Sequence, residues 1–316
     1  MLPFDWGVPS EPQASEARGV LAPDPAGSGW KTHSLHPGPA ARSTSAPRGS
    51  HAAPGNLASV LPSAGSVPAM TGGQVRAAAL WGPDHETLGE VEVREVTASL
   101  AMALSRGKFP KGYPHVDLNE DGALAATNGA AAVLAVADGH NGFDAARAAL
   151  SATADQIPYL LSREPRAAVP ALRHCVAVAV EAVAVATEGL EGERADSGTA
   201  LTVALLRPGG LTVAGLGDCV AVVIRKSRVR RVGGDSPFLG PGTLPSHVRM
   251  GRARLHPGDT VLVATDGLCD FLGREWRRRL AALAADGGPA RLAELAIEAA
   301  FGGGAGDNLA VVVWAV

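Results

Sequence analysis

Four short apolar runs, far apart in the chain, each abut an aspartate. Residues 133–137 lead into Asp138-Gly139-His140, and residues 261–265 lead into Asp266-Gly267. Residues 211–216 lead into Gly217-Asp218, and Asp307-Asn308 stands directly before residues 309–316. Short runs without polar alternation read as buried strands. An acid at the end of such a strand is held on a rigid edge, where chemistry is usually placed. Asn119-Glu120-Asp121 adds two acids upstream. A fold that gathers several strand-edge carboxylates at one place builds an all-oxygen site, the kind hard divalent cations prefer.

The surrounding pattern gives the fold class. Residues 90–96 alternate apolar and polar side chains, as a strand does. Residues 201–206 and 211–216 flank Arg207-Pro208-Gly209-Gly210, a hairpin loop, and residues 220–224 and 229–232 extend the expected meander. Helical spacing covers residues 143–157, 169–190 and 289–300, the last with Pro289 in its first turn. Residues 309–314 read as a final central strand. Consecutive hairpins with helices in separate blocks give an α+β class, with antiparallel sheets covered by helices, not a doubly wound parallel sheet.

Two segments differ in composition. Residues 1–73 are rich in Pro, Gly, Ser and Ala and lack apolar periodicity, so they are expected to be disordered. Residues 74–316 are expected to form one globular domain. Hydrophobic residues are 46% of the chain but aromatics only 4%, so its core must be built from Ala, Val and Leu. A net charge of −3 offers no electrostatic case for nucleic acid or for an anionic membrane. No uncharged run of about 18 apolar residues is present, so no membrane span is expected. The three cysteines, Cys175, Cys219 and Cys269, lack metal-binding spacing. With no secretory signal pattern either, a reduced, cytoplasmic, monomeric protein is expected.

Taken in order, the acidic motifs resemble the metal-dependent serine/threonine protein phosphatases of type 2C. The resemblance is carried by Asn119-Glu120-Asp121, residues 137–142 (Ala-Asp-Gly-His-Asn-Gly) and residues 196–200 (Asp-Ser-Gly-Thr-Ala). Residues 215–219, 264–270 and 306–311 continue it, so that it spans about residues 90–316. It implies a four-layer α-β-β-α sandwich holding two Mn²⁺ or Mg²⁺ ions at one end. By the same resemblance, Asp138 bridges the ions, the Gly139 carbonyl binds one, Asp266 and Asp307 serve one, and Glu120 with Asp121 support the site. Asp196 lies near where some members bind a third ion, and the segment of Asp218 is mainly structural in the family. Two cations about 4 Å apart neutralise a phosphate monoester and acidify a water. His140 is the expected general acid for the seryl or threonyl oxygen.

The chain departs from the family pattern at three positions. Val116 stands where an arginine commonly clamps the phosphate; Arg106, Lys108, Lys111 and His115 are nearby but out of register. Cys219 replaces a usual Ser and Cys269 a usual Trp; both read as core-facing replacements, since nearby acids raise a thiol pKa. Arg274, Arg277, Arg278 and Arg279 read as a solvated helix face around Trp276. The expected function is hydrolysis of phosphoserine and phosphothreonine in phosphorylated protein partners. The rivals are a non-catalytic phosphoprotein-binding module on the same fold, favoured by the missing arginine, and a two-metal nuclease, disfavoured by the charge balance.

Overall fold

The computed structural model describes residues 74–113, 115–285 and 287–316. The expectation for residues 1–73 lies outside the described residues. Two antiparallel sheets of six strands each face one another. The first runs in the order β1 (Arg76–Trp81), β4 (Asp121–Thr127), β5 (Ala132–His140), β6 (Gly198–Arg207), β7 (Gly210–Leu216), β10 (Arg249–Arg254). The second runs β2 (Glu92–Thr97), β3 (Leu100–Ser105), β12 (Leu309–Ala315), β11 (Thr260–Ala264), β8 (Val220–Arg225), β9 (Arg228–Arg231). Helices α1 (Asp144–Asp155), α2 (Ile157–Ser162) and α3 (Ala168–Thr187) cover the outside of the first sheet. Helices α4 (Asp266–Leu272), α5 (Trp276–Leu283) and α6 (Pro289–Gly302) cover the outside of the second. The result is the expected α-β-β-α sandwich.

Three apolar layers hold the four structural layers together, and strand periodicity explains how. In β5, Val133, Ala135 and Ala137 point into the layer beneath α1 and α3. Ala132, Leu134 and Val136 point into the layer between the sheets. Side chains alternate across a strand, so one buried on both faces must be apolar throughout. That is why the run carries no polar residue until Asp138. The same alternation sends Val261 and Val263 inward and Leu262 and Ala264 toward the outer helices.

The structure departs from the sequence reading in one connection. The meander does not continue from β7 to β8; the chain leaves the first sheet and enters the second. Gly217 makes this crossing with φ +83°, and a Cβ there would collide with Ala200. Among the described residues, the segment from Pro165 to Thr187 is long and apolar enough to cross a membrane by length and composition. Its apolar face is accounted for by packing: Ala171, Leu172, Cys175, Val176, Ala179 and Val183 are buried in the layer shared with α1 and the first sheet.

Candidate metal centre

The sandwich closes at one end around its acids. Asp121 opens β4 and pairs directly across from Asp138 of β5. Both share strand parity with residues buried between the sheets, Ala123 and Ala125 on β4, Leu134 and Val136 on β5. Their carboxylates therefore sit at the open edge of the inter-sheet layer. From the second sheet, Asp266 follows β11 as the first residue of α4, and Asp307 lies two residues before β12, the strand beside β11. Asp218 stands at the crossing between sheets. The carboxylates of Asp138, Asp218 and Asp266 offer ligand atoms that all lie within 4.8 Å of one another.

These acids are costly as they stand. Asp138 is raised well above the ordinary carboxylate range, by burial first and then by Asp121, Asp266 and Asp307. Asp121 is pushed up to about 8, chiefly by burial; the Lys111 ammonium opposes this, while Asp307 and Asp266 add to it. Asp266 is pushed up to about 6 by burial and by Asp218 and Asp307. Asp218 is raised by burial, and its Oδ1 is buried without a hydrogen-bond partner. A dication among these oxygens would relieve both desolvation and repulsion, so the donor set fits Mn²⁺ or Mg²⁺.

A second group of contacts organises the loop leading into β4. Glu120 is buried; its Oε1 accepts from the backbone N–H of Gly142 at 2.7 Å and of Val116 and Asp117 at 3.3 Å. Its Oε2 accepts from Lys111 Nζ at 3.0 Å. Lys111 Nζ also lies 3.4 Å from Asp307 Oδ1, and the lysine side chain is only 2% exposed. The same Asp307 oxygen accepts from Tyr113 Oη and from the Asn308 backbone N–H, both at 2.8 Å. Burial alone disfavours the Lys111 ammonium, but Asp121, Asp307 and Glu120 outweigh it and hold its pKa above the ordinary lysine value. Asn308 ties the loop down: its Oδ1 accepts from the Glu120 N–H at 2.9 Å, and its Nδ2 donates to the Arg106 and Leu118 carbonyls. Arg194 adds a second tie, a forked ion pair to Asp117 together with one to Asp144 at the start of α1.

His140 ends β5 on the same strand face as Asp138, with Nε2 3.8 Å from Asp138 Oδ2 and without a hydrogen-bond partner. Its ring meets Phe238 edge-on, with centroids 4.6 Å apart. Burial, then the nearby Lys111 charge, hold its pKa below the usual histidine value. Beside it opens a cleft of about 340 Å³ lined by His140, Asp196, Phe238, Leu239, Pro241 and Thr243, among others.

The structure thus brings together Asp121, Asp138, Asp266, Asp307 and His140. Glu120 stands next to them, with both oxygens committed to Lys111 and backbone amides. Gly139 passes so close to Glu120 that a Cβ would lie 2.6 Å from the Glu120 carbonyl oxygen, and its N–H donates to that oxygen at 3.0 Å. Asp196 is exposed and lines the cleft, apart from the three-aspartate cluster. Val116 contributes only its backbone. Cys219 is buried and Cys269 half-buried, and burial followed by nearby acids raises the Cys219 thiol well above its usual value. The sequence reading takes the Asp218 segment as mainly structural, and the structure places its carboxylate beside those of Asp138 and Asp266; the reading names Asn308 only beside Asp307 and does not single out Tyr113 or Arg194. Of these only Asn308 carried a local signal, its place between an acid and a buried strand.

The profile of the family described as Protein phosphatase 2C matches residues 115–295, more than half of the chain. None of the curated proteins matches the sequence significantly. Among solved structures, the catalytic domain of the serine/threonine protein phosphatase PstP in complex with two manganese ions is 23% identical, with a TM-score of 0.54, covering 71% of this chain and 98% of its own. The Mycobacterium tuberculosis phosphatase PstP/Ppp is 22% identical, with a TM-score of 0.55, over 70% of this chain and 97% of its own. Stp1 from Staphylococcus aureus is 17% identical, with a TM-score of 0.53, over 79% of this chain and 99% of its own. At these identities the structural likeness speaks to the fold, and the family rests on the profile match together with the ordered acidic motifs: the chain belongs to the protein phosphatase 2C family.

Proposed function

We propose that this protein is a divalent-cation-dependent phosphatase acting on phosphoserine and phosphothreonine in proteins. The observation that carries this reading is the convergence of the carboxylates of buried Asp138 and half-buried Asp218 and Asp266 beside His140. When bound, Mn²⁺ or Mg²⁺ neutralises the phosphate and supplies an acidified water as nucleophile. The PstP structure holds two manganese ions, and the need for a divalent cation at this end of the sandwich is what carries over to this chain from its family. Asp138, Asp218 and Asp266 would hold a cation, with Asp121 behind them, its Oδ2 accepting from Thr265 Oγ1 at 2.8 Å. Asp307 stands on the far side, next to Lys111.

His140 Nε2 is buried 3.8 Å from Asp138 Oδ2 and makes no hydrogen bond, and on this reading it carries the proton a serine or threonine oxygen needs on leaving. Its pKa is held low in the free protein, and a phosphate dianion in the cleft would raise it toward neutrality. The cleft beside His140 would receive the peptide around the phosphorylated residue.

A second reading, a phosphoprotein-binding module without turnover, is favoured by one observation: Val116 offers no side-chain donor for a phosphate. Phosphate release from phosphopeptide by the purified full chain separates the two. On the proposed reading, release needs millimolar Mn²⁺ or Mg²⁺, stops with chelator, and falls by at least about 10³-fold in Asp138→Asn. Phosphopeptide binding with no metal-dependent release would establish the module instead.

A further inference from the structure

The acids at this end of the sandwich are unequally partnered. On one side Asp138, Asp218 and Asp266 converge with no cationic side chain forming an ion pair with any of them among the described residues, apart from His140 at 3.8 Å. On the other side Glu120 and Asp307 already share a buried cation, Lys111 Nζ, at 3.0 and 3.4 Å. Both Glu120 oxygens are used, and Asp307 Oδ1 also accepts from Tyr113 and from the Asn308 N–H.

We propose that Lys111 takes the place of one of the two ions, so that this chain holds a single divalent cation, at Asp138, Asp218 and Asp266, with the Lys111 ammonium as the second positive centre. The inference rests on the phosphatase reading for its purpose but not for its test. Three physical points support it. A lysine side chain only 2% exposed persists as an ammonium only where carboxylates face it, and Glu120 at 3.0 Å and Asp307 at 3.4 Å do so. A dication sharing Glu120 and Asp307 with that ammonium would meet direct like-charge repulsion at short range. Lys111 also stands in the loop that enters β4, directly beside the carboxylates it pairs with. With one N–H donated to Glu120 and the ammonium in ion-pair range of Asp307, Lys111 retains a donor for a phosphate oxygen. It would thereby supply part of the anion capture that Val116 cannot.

The test is ion stoichiometry, read by calorimetric Mn²⁺ titration of the full chain and by Mn²⁺ electron paramagnetic resonance. The wild type is expected to bind one Mn²⁺ per chain tightly and to give the six-line signal of an isolated ion. Lys111→Gln keeps a polar side chain of similar length and removes the charge. It is expected to bind two ions and to show an exchange-coupled pair. Two tightly bound, coupled ions in the wild type would overturn the proposal whatever the variant does, as would none. A Lys111→Gln chain that binds one ion would overturn it too, leaving Lys111 as a loop anchor only. If Lys111→Gln fails to fold, the wild-type count still decides. One ion without phosphopeptide turnover would uphold this inference and defeat the phosphatase reading. Turnover with a coupled pair would do the reverse.

Discussion

Asp138 and His140 are two residues apart on one strand, and the strand repeat places both on the inter-sheet face. Their environments then set them apart. Asp138 is buried among acids and fits a cation ligand, whereas His140 reaches the rim, half-exposed beside Phe238. If His140 protonates the leaving oxygen, its loss is felt only where the leaving group is a poor one. His140→Ala is expected to lower kcat on a phosphoserine peptide by about 10²–10³-fold and to leave nitrophenyl phosphate turnover within a few fold. Parallel kinetics on the two substrates check this. Equal losses would assign His140 to supporting the metal site. Asp218 makes a complementary point: an oxygen buried without a partner costs about 1–3 kcal/mol, a cost a bound cation removes.

At the scale of elements, the site depends on how one loop is held. The segment between β3 and β4 carries Lys111, Tyr113 and Glu120 and leads into Asp121, and its anchor comes from the opposite end of the chain. Asn308 makes three hydrogen bonds to it, to the Glu120 N–H and to the Arg106 and Leu118 carbonyls. Asn308 is almost fully buried, so Asn308→Ala leaves those groups without partners in the interior. A stability loss of about 2–4 kcal/mol is expected, visible in urea unfolding, together with weaker Mn²⁺ binding. A variant with wild-type stability and metal affinity would show that the loop is anchored elsewhere, Arg194 being the next candidate. The crossing at Gly217 works in the same way. It delivers Asp218 from the first sheet to a cluster shared with the second, and its positive φ explains the glycine.

For the whole molecule, the clustered acids link stability to pH and metal. Asp121 and Asp266 have folded pKa values of about 8 and about 6, against 3.8 ordinarily, so the metal-free folded state holds protons that the unfolded chain releases. Their contribution is fully present below about pH 4 and is lost as pH rises toward 8. In chelator, the thermal midpoint is expected to fall between about pH 5 and 8. In saturating Mn²⁺ the trend flattens or reverses, because the ion binds ionised carboxylates. Melts across that range, with and without metal, check this; identical slopes would mean the cluster does not bind the ion. Much of this molecule was legible in sequence, and the reason is burial. Strands packed on both faces must be apolar, and any acid that interrupts them must sit at an edge, so β5, β11, β12 and their aspartates announced themselves. The Ala-rich β1, β3 and β4 did not, because alanine has little intrinsic strand preference and only the layers packed over them make them strands. The order of strands, the crossing at Gly217 and the meeting of Lys111 with Asp307 arise between residues far apart in the chain. Local propensity carries no record of such pairings, so the amino-acid sequence by itself determined which residues are the acids and the buried strands, and tertiary packing decided which acids converge and which meet a lysine.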